Sequence, residues 1–281
     1  MVGSVLKPDG ERFLPEFSGL IALEHYHRYL CALKVIKNRR VLDLASGEGF
    51  GSNILSLEAN KVFGVDISPE AIFHASHKYV RSNLQFIVGS ATEIPLEDCS
   101  VDAAVSFETI EHFADHEKFL HEIKRVLQPG GFLIISTPNK LVYSDLTGYS
   151  NPFHEKELYT SEFLEIVARY FAKVRHYGQR VAVGSLISCA DSLDYFSTFR
   201  PNSRTNGIAD QVYDILVASD IDPPSLGHSV FEDPSGTLQA EQLDELVDEC
   251  QRLRLDLETC RFECEALSKE CDDLRALLRS N

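Results

Sequence analysis

The stretch Val41-Leu42-Asp43-Leu44-Ala45-Ser46-Gly47-Glu48-Gly49-Phe50-Gly51-Ser52 constrains the fold of this chain more than any other. An apolar strand runs into a glycine turn, and the turn opens a helix. Glycine allows positive φ and close approach of backbone to a ligand. In open α/β sheets such turns lie where ligands bind, beyond the strand ends. From Arg40 to about Ser219, short β-branched runs alternate with helical patterns, which predicts a parallel sheet with crossover helices. Strands are expected at Arg40–Ala45, Lys61–Asp66, Leu84–Val88, Val101–Phe107, Gly131–Thr137, Lys173–Gln179 and Tyr213–Ala218. Helices are expected at about Gly51–Leu57, Pro69–Val80, His116–Leu127 and Ser161–Tyr170, with an N-terminal helix over Gly19–Ile36. Gln128-Pro129-Gly130-Gly131 reads as a helix stop and turn ahead of the next strand.

The expected organisation is a capping region over residues 1–39, an α/β domain over 40–219, a linker over 220–240 and a helical tail over 241–281. The linker is read from Pro223-Pro224, Gly227, Pro234 and Gly236. Residues 186–210 form an insertion carrying Tyr195, Phe196 and Phe199, either a lid or a surface excursion. The net charge of −16, of which −6 falls on residues 241–281, argues against nucleic acid as a partner, because phosphate binding needs clustered Lys and Arg. No apolar run is long enough to span a membrane. The N-terminal stretch lacks a signal peptide's apolar core, and Cys31, Cys99 and Cys189 stand singly, so free thiols in the cytoplasm are expected.

Two acids sharpen the glycine turn. A dinucleotide fold would carry G-x-G-x-x-G, but Ser52 stands at the third glycine position. Asp43 lies four residues before Gly47, where its charge would repel a pyrophosphate. It suits a ligand with an ammonium and a sulfonium instead, directly or through surrounding hydrogen bonds. Asp66 ends the second strand seventeen residues beyond Gly49, placed to accept from both ribose hydroxyls. The competing role of helix cap ahead of Pro69 is better filled by Ser68.

On these residues the chain resembles the class I S-adenosylmethionine-dependent methyltransferases. The D-x-x-x-G-x-G loop, the tip Val65-Asp66-Ile67-Ser68 and Leu127-Gln128-Pro129-Gly130-Gly131 follow that family's order over about residues 40–140. The resemblance implies a Rossmann-like, seven-stranded, mostly parallel sheet with helices on both faces. It implies S-adenosylmethionine as cofactor, held by Asp43, Ala45, Ser46, Gly47, Gly49, Asp66 and Ile67. Ser90, Ala91 and Thr92 would flank the adenine, although the family often has an acid at Ser90. Phe107 would lie near the methionine part, and Arg28 on the N-terminal helix is a partner for the cofactor carboxylate, or simply part of that helix's polar face.

Methyl transfer is a displacement at an already activated methyl group, so alignment and exclusion of water do most of the work. A hydroxyl acceptor also benefits from a base near neutral pKa. His112, just beyond the fourth strand, and His154, in Asn151-Pro152-Phe153-His154-Glu155, are the candidates, with His154 first. Glu108-x-x-Glu111-His112 also offers ligands for a divalent metal. Ubiquinone-pathway O-methyltransferases have a similar stretch, but so do many class I enzymes as packing at a helix start, and no metal is expected here. The segment from Asn151 to Leu158, with Tyr177-Gly178-Gln179-Arg180, resembles methyltransferases that accompany bacterial polysaccharide synthesis. The expected acceptor is therefore a sugar hydroxyl of a glycan or its precursor. A quinone or other small molecule, or a cofactor-binding scaffold organised by the tail, are the alternatives.

Residues 243–281 carry an unbroken seven-residue period. Leu243, Cys250, Leu257, Cys264, Cys271 and Leu278 take the a positions, and Leu246, Leu253, Cys260, Leu267 and Leu274 the d positions. The pattern predicts a coiled coil. Glu249–Arg254′, Asp256–Arg261′ and Glu270–Arg275′ would pair across a parallel homodimer.

Overall fold

The computed structural model describes residues 20–181, 197–200, 203–206, 208 and 210–231. The predicted coiled coil over 241–281 and most of the 186–210 insertion lie outside these residues. In chain order the elements are α1 (Leu20–Leu33), β1 (Arg40–Leu44), α2 (Phe50–Leu55), β2 (Lys61–Asp66), α3 (Pro69–Lys78), β3 (Leu84–Val88) and β4 (Val101–Phe107). There follow α4 (His116–Val126), β5 (Leu127–Pro138), α5 (Thr160–Ala168), β6 (Lys173–Gln179), β7 (Ser197–Arg200), β8 (Ser203–Asn206) and β9 (Tyr213–Ser219). A 3-10 turn at Ile110–His112 and a π-helical turn at Leu141–Asp145, neither expected from the sequence, lie between the regular elements.

Seven strands form one sheet in the order β3-β2-β1-β4-β5-β9-β6. Pairing is parallel from β3 through β5, and β9 runs antiparallel to both its neighbours. The expected mostly parallel sheet is thus present. Strand order reverses between β1 and β4, which opens a crevice beyond their carboxyl ends.

Side chains alternate across the strands with period two, so each strand serves two cores. Val41, Val62, Val105, Ile134 and Val217 face α1 and α2, among Tyr26, Tyr29, Phe50 and Ile54. Leu42, Leu44, Leu133, Ile135 and Leu216 face α4 and α5, among Phe119, Leu120, Ile123, Phe163 and Val167. Each such side chain contributes about 1.5–3 kcal/mol on burial. Helix α4 is set by its own sequence: Asp115 accepts from the Lys118 N–H at 3.0 Å as N-cap. Phe119, Leu120, Ile123 and Val126 then share its buried face. At α3 the expected cap is present, with Ser68 Oγ accepting from Ala71 N at 3.2 Å and Pro69 in the first turn.

Two boundaries differ for visible reasons. β1 stops at Leu44, because Ala45 takes a left-handed φ of 60°. β5 begins at Leu127, before the expected turn: Leu127 pairs with Val101, the next pair is Phe132 with Ala103, and Gly130 (φ 79°) lies in the bulge between. The Pro-Gly-Gly turn is therefore absorbed inside a strand. Within the insertion, β7 and β8 form an antiparallel pair. Residues 220–231, the first half of the expected linker, lie along the domain: Arg175 Nε donates to Pro223 O at 3.0 Å, Leu226 joins the core beside α1, and Ser229 Oγ lies 2.8 Å from His27 Nε2. No described helix is long and apolar enough to cross a membrane.

Candidate cofactor and acceptor site

The loop after β1 is bent by three left-handed residues, Ala45, Gly47 (φ 55°) and Gly49 (φ 97°). A Cβ on Gly49 would stand 2.7 Å from Ala75 Cβ, so backbone strain and space both require glycine there. Ser46 N donates to Val65 O at 3.0 Å and Gly49 N to Ser46 O at 3.0 Å, which fastens the loop to β2. Asp66 completes the brace: its Oδ2 accepts from Gly47 N at 2.8 Å and its Oδ1 from Ser68 N at 2.9 Å. Glycine loop and Asp66 are therefore one unit at the sheet's switch point. Ile67 beside it is 72% exposed, an open apolar surface at the strand tip.

Asp43 has a different place. It is wholly enclosed and accepts from Tyr29 Oη at 3.1 Å and from Ser52 Oγ at 2.6 Å. The carboxylate ties α1 to α2 beneath the loop, so of the two routes expected for it the hydrogen-bond network is the one present. Burial pushes its pKa up to about 7, with the Asp66 charge adding to the rise and the Ser52 and Tyr29 hydrogen bonds opposing it. Phe107 packs edge-on against Tyr29, ring centroids 5.0 Å apart, as part of the same core. Ser90 Oγ lies 3.0 Å from Thr92 Oγ1 and accepts from Thr92 N at 3.2 Å, while Ala91 is buried. This small turn follows β3, and Gly89 N, which donates to Asp66 O at 2.9 Å, ties it to the end of β2.

Under α1 lies a polar layer built on Arg28, which is buried in full. Its Nη1 donates to Gln179 Oε1 at 3.0 Å and lies 3.4 Å from Glu108 Oε1, and its guanidinium covers the Tyr213 ring at 4.7 Å. Nε has no hydrogen-bond partner among the described residues. Glu108 accepts from Ser136 Oγ at 2.5 Å, and Tyr213 Oη donates to Glu24 at 3.0 Å.

The two histidines meet, although forty-two positions separate them in the chain. Their ring centroids are 5.1 Å apart, edge to face. His112 Nδ1 lies 2.9 Å from Phe153 O, and His154 Nδ1 lies 2.6 Å from Glu157 Oε1. Asn151 Nδ2 approaches His154 Nε2 at 3.0 Å, and Tyr143 stacks on the His154 ring at 5.7 Å. Of the Glu108, Glu111 and His112 cluster, Glu108 turns away to Arg28 and Ser136. Glu111 is fully buried and accepts from Thr137 Oγ1 at 3.0 Å, and burial together with the Glu108 charge raises its pKa well above the ordinary carboxylate range. The sequence reading missed Tyr143 and Glu157. Glu157 carried a signal, standing three residues beyond His154, whereas Tyr143 reaches the site only through the π-helical turn.

Comparison with known proteins agrees with this architecture. Residues 42–135, which run from β1 into β5 of the Rossmann-like sheet, match the family model described as a methyltransferase domain. A relative from Mycolicibacterium smegmatis, named "Probable S-adenosylmethionine-dependent methyltransferase", is 35% identical over 58% of this chain and 64% of its own length. The fatty-acid O-methyltransferase of the same organism is 27% identical over 40% of this chain and 42% of its own. This chain thus spans less than two thirds of either relative. Among solved structures, the YcgJ protein of Bacillus subtilis superposes with a TM-score of 0.52 at 19% identity, covering 69% of this chain and 97% of that one, which shows the shared fold.

Proposed function

We propose that this protein is an S-adenosylmethionine-dependent O-methyltransferase whose acceptor is a hydroxyl of a sugar, a glycan or its precursor. The observation that carries the reading is the glycine turn braced by Asp66 at the crevice between β1 and β4. The residues present fit the cofactor. Gly47 and Gly49 bend the loop through left-handed φ values of 55° and 97°, and the Asp66 carboxylate braces that bend at the strand tip, where the ribose hydroxyls would donate to it. Ile67 offers apolar surface beside Asp66, and the Ser90–Thr92 turn closes the adenine side. When bound, the cofactor supplies a methyl group already activated by its sulfonium.

The chain's own part is to align the acceptor and take its proton. In the metal-free site His154 takes that proton at Nε2, because Nδ1 faces the Glu157 carboxylate, which fixes the tautomer. His112 sits edge-on beside it and limits its rotation. Arg28, already shared between Gln179 and Glu108, serves as a positioning group under α1 for the cofactor carboxylate. A second reading is favoured by one observation: Leu141, Leu146, Tyr149 and Phe153 are all exposed on the segment that leads into His154. Such a surface suits a small acceptor with an apolar body, a quinone or a fatty acyl chain.

A labelled-methyl transfer assay against extracts fractionated into glycans, lipids and small metabolites tests both. Label in glycans supports the first reading, label in lipids or small metabolites the second, and label in protein alone overturns both. His154→Ala should keep cofactor affinity and lose turnover by roughly 10²–10⁴-fold; full activity would remove His154 from the mechanism. The reading includes a cytoplasmic location, supported by the free thiols Cys31 and Cys99. It also includes a parallel homodimer through residues 241–281, supported by their heptads and flanking charges. Sedimentation of the full chain against a version ending at Ser235 tests the dimer; equal mass states would reject it.

A further inference from the structure

Three side chains from two separate turns converge beside the crevice, and one of them holds an unexplained atom. Glu111 and His112 come from the 3-10 turn after β4, and His154 from the loop after the π-helical turn. One ligand atom from each lies within 4.8 Å of the others. Glu111 Oε2 accepts from Thr137, but Oε1 is enclosed with no hydrogen-bond partner among the described residues. An enclosed carboxyl oxygen without a donor or a cation is rare in folded proteins and calls for a ligand.

Both imidazoles are held from behind. Phe153 O and Glu157 Oε1 can only accept, so each histidine carries its proton on Nδ1 and presents a lone pair at Nε2. Metal-binding histidines are oriented in this way, by donating the other ring N–H to a carbonyl or a carboxylate. Asn151 Nδ2 donates to His154 Nε2 at 3.0 Å, and a cation bound there would take the place of that donor.

We propose that Glu111, His112 and His154 form a binding site for a divalent transition metal, with one carboxylate oxygen and two imidazole nitrogens as the protein ligands. Nitrogen donors favour ions such as Mn²⁺, Fe²⁺ or Zn²⁺ over Mg²⁺ and Ca²⁺, which prefer oxygen. Three protein ligands leave coordination positions open to a hydroxyl, whose pKa a bound cation lowers. With the cation held, His154 is its ligand and no longer the base. That catalytic consequence rests on the methyl-transfer reading; the binding itself does not.

The test uses Mn²⁺ alone with the full chain, without cofactor or acceptor. Electron paramagnetic resonance should show one bound Mn²⁺ per chain, with pulsed spectra carrying couplings to imidazole nitrogen. Glu111→Gln and His112→Ala should each weaken binding at least tenfold, and Glu157→Gln, which loosens His154, by roughly ten- to a hundredfold. Circular dichroism reports whether each variant is folded, and the nitrogen couplings of the wild-type protein decide the matter if one is not. Mn²⁺ that stays free, that binds without imidazole coupling, or that binds both ligand variants as tightly as wild type overturns the proposal. Intact Mn²⁺ binding without methyl transfer to any acceptor overturns the functional reading alone.

Discussion

The substitution Asp43→Asn isolates the energetic consequence of enclosing a carboxyl group under the glycine loop. Asp43 is fully buried, and its pKa rises from the ordinary 3.8 to about 7. Below pH 3.8 the group is protonated in both folded and unfolded chains and contributes its full stabilisation. Between that value and about 7 the folded chain holds a proton that the unfolded chain has released, so stability falls as pH rises, by about 1.4 kcal/mol per pH unit. Across the window the loss reaches roughly 4 kcal/mol, and above it the contribution is flat. The asparagine side chain cannot ionise, so the variant lacks this slope. Its amide oxygen can still accept from one hydroxyl, and Ser52 Oγ can turn to accept from its NH₂. Urea unfolding of both proteins at intervals from about pH 4 to about pH 8 gives the difference in stability at each pH. Glu111 and Glu24, also raised by burial, affect both proteins alike and drop out of the difference. The wild-type advantage should shrink steadily towards neutral pH. A difference that stays flat, or grows with pH, would refute the reasoning.

Three other outcomes follow from the same site. Gly51→Ala would place a Cβ 2.0 Å from Cζ of Tyr29, which Phe50 and Phe107 already enclose, so the urea midpoint should fall by an amount equivalent to ~1–3 kcal/mol; an unchanged midpoint would mean the ring yields freely. Arg28→Met leaves Glu108 and Gln179 without the cation they share and should cost about 3 kcal/mol in denaturant unfolding; a neutral or stabilised variant would show the pair carries no net stability. Asp66→Ala should lower S-adenosylmethionine affinity by at least ~10-fold in calorimetry, equivalent to about 1.4 kcal/mol; retained affinity would confine Asp66 to bracing the loop.

Local sequence carried most of the fold. Short β-branched runs between helical patterns located every strand of the main sheet, because such side chains suit a buried pleated surface wherever the strand pairs. Ser68, Pro69 and Asp115 set helix starts through contacts within four residues. Errors fell where the partner strand decided. Leu127 belongs to β5 because Val101 pairs with it across the Pro-Gly-Gly bulge, and nothing in the turn itself reports that pairing.

The site divides in the same way. The sequence by itself determined the glycine turn, Asp66 at the next strand tip and the two histidines, since each is a residue type at a fixed distance from a strand end. Only the tertiary structure decided that Asp43 faces inward to Tyr29 and Ser52, and that Glu108 joins Arg28. It alone brought His154 to Glu111 and His112. The physical reason is range: propensity, capping and alternation act over a few residues, whereas burial and charge pairing depend on neighbours that the sheet brings together from distant parts of the chain.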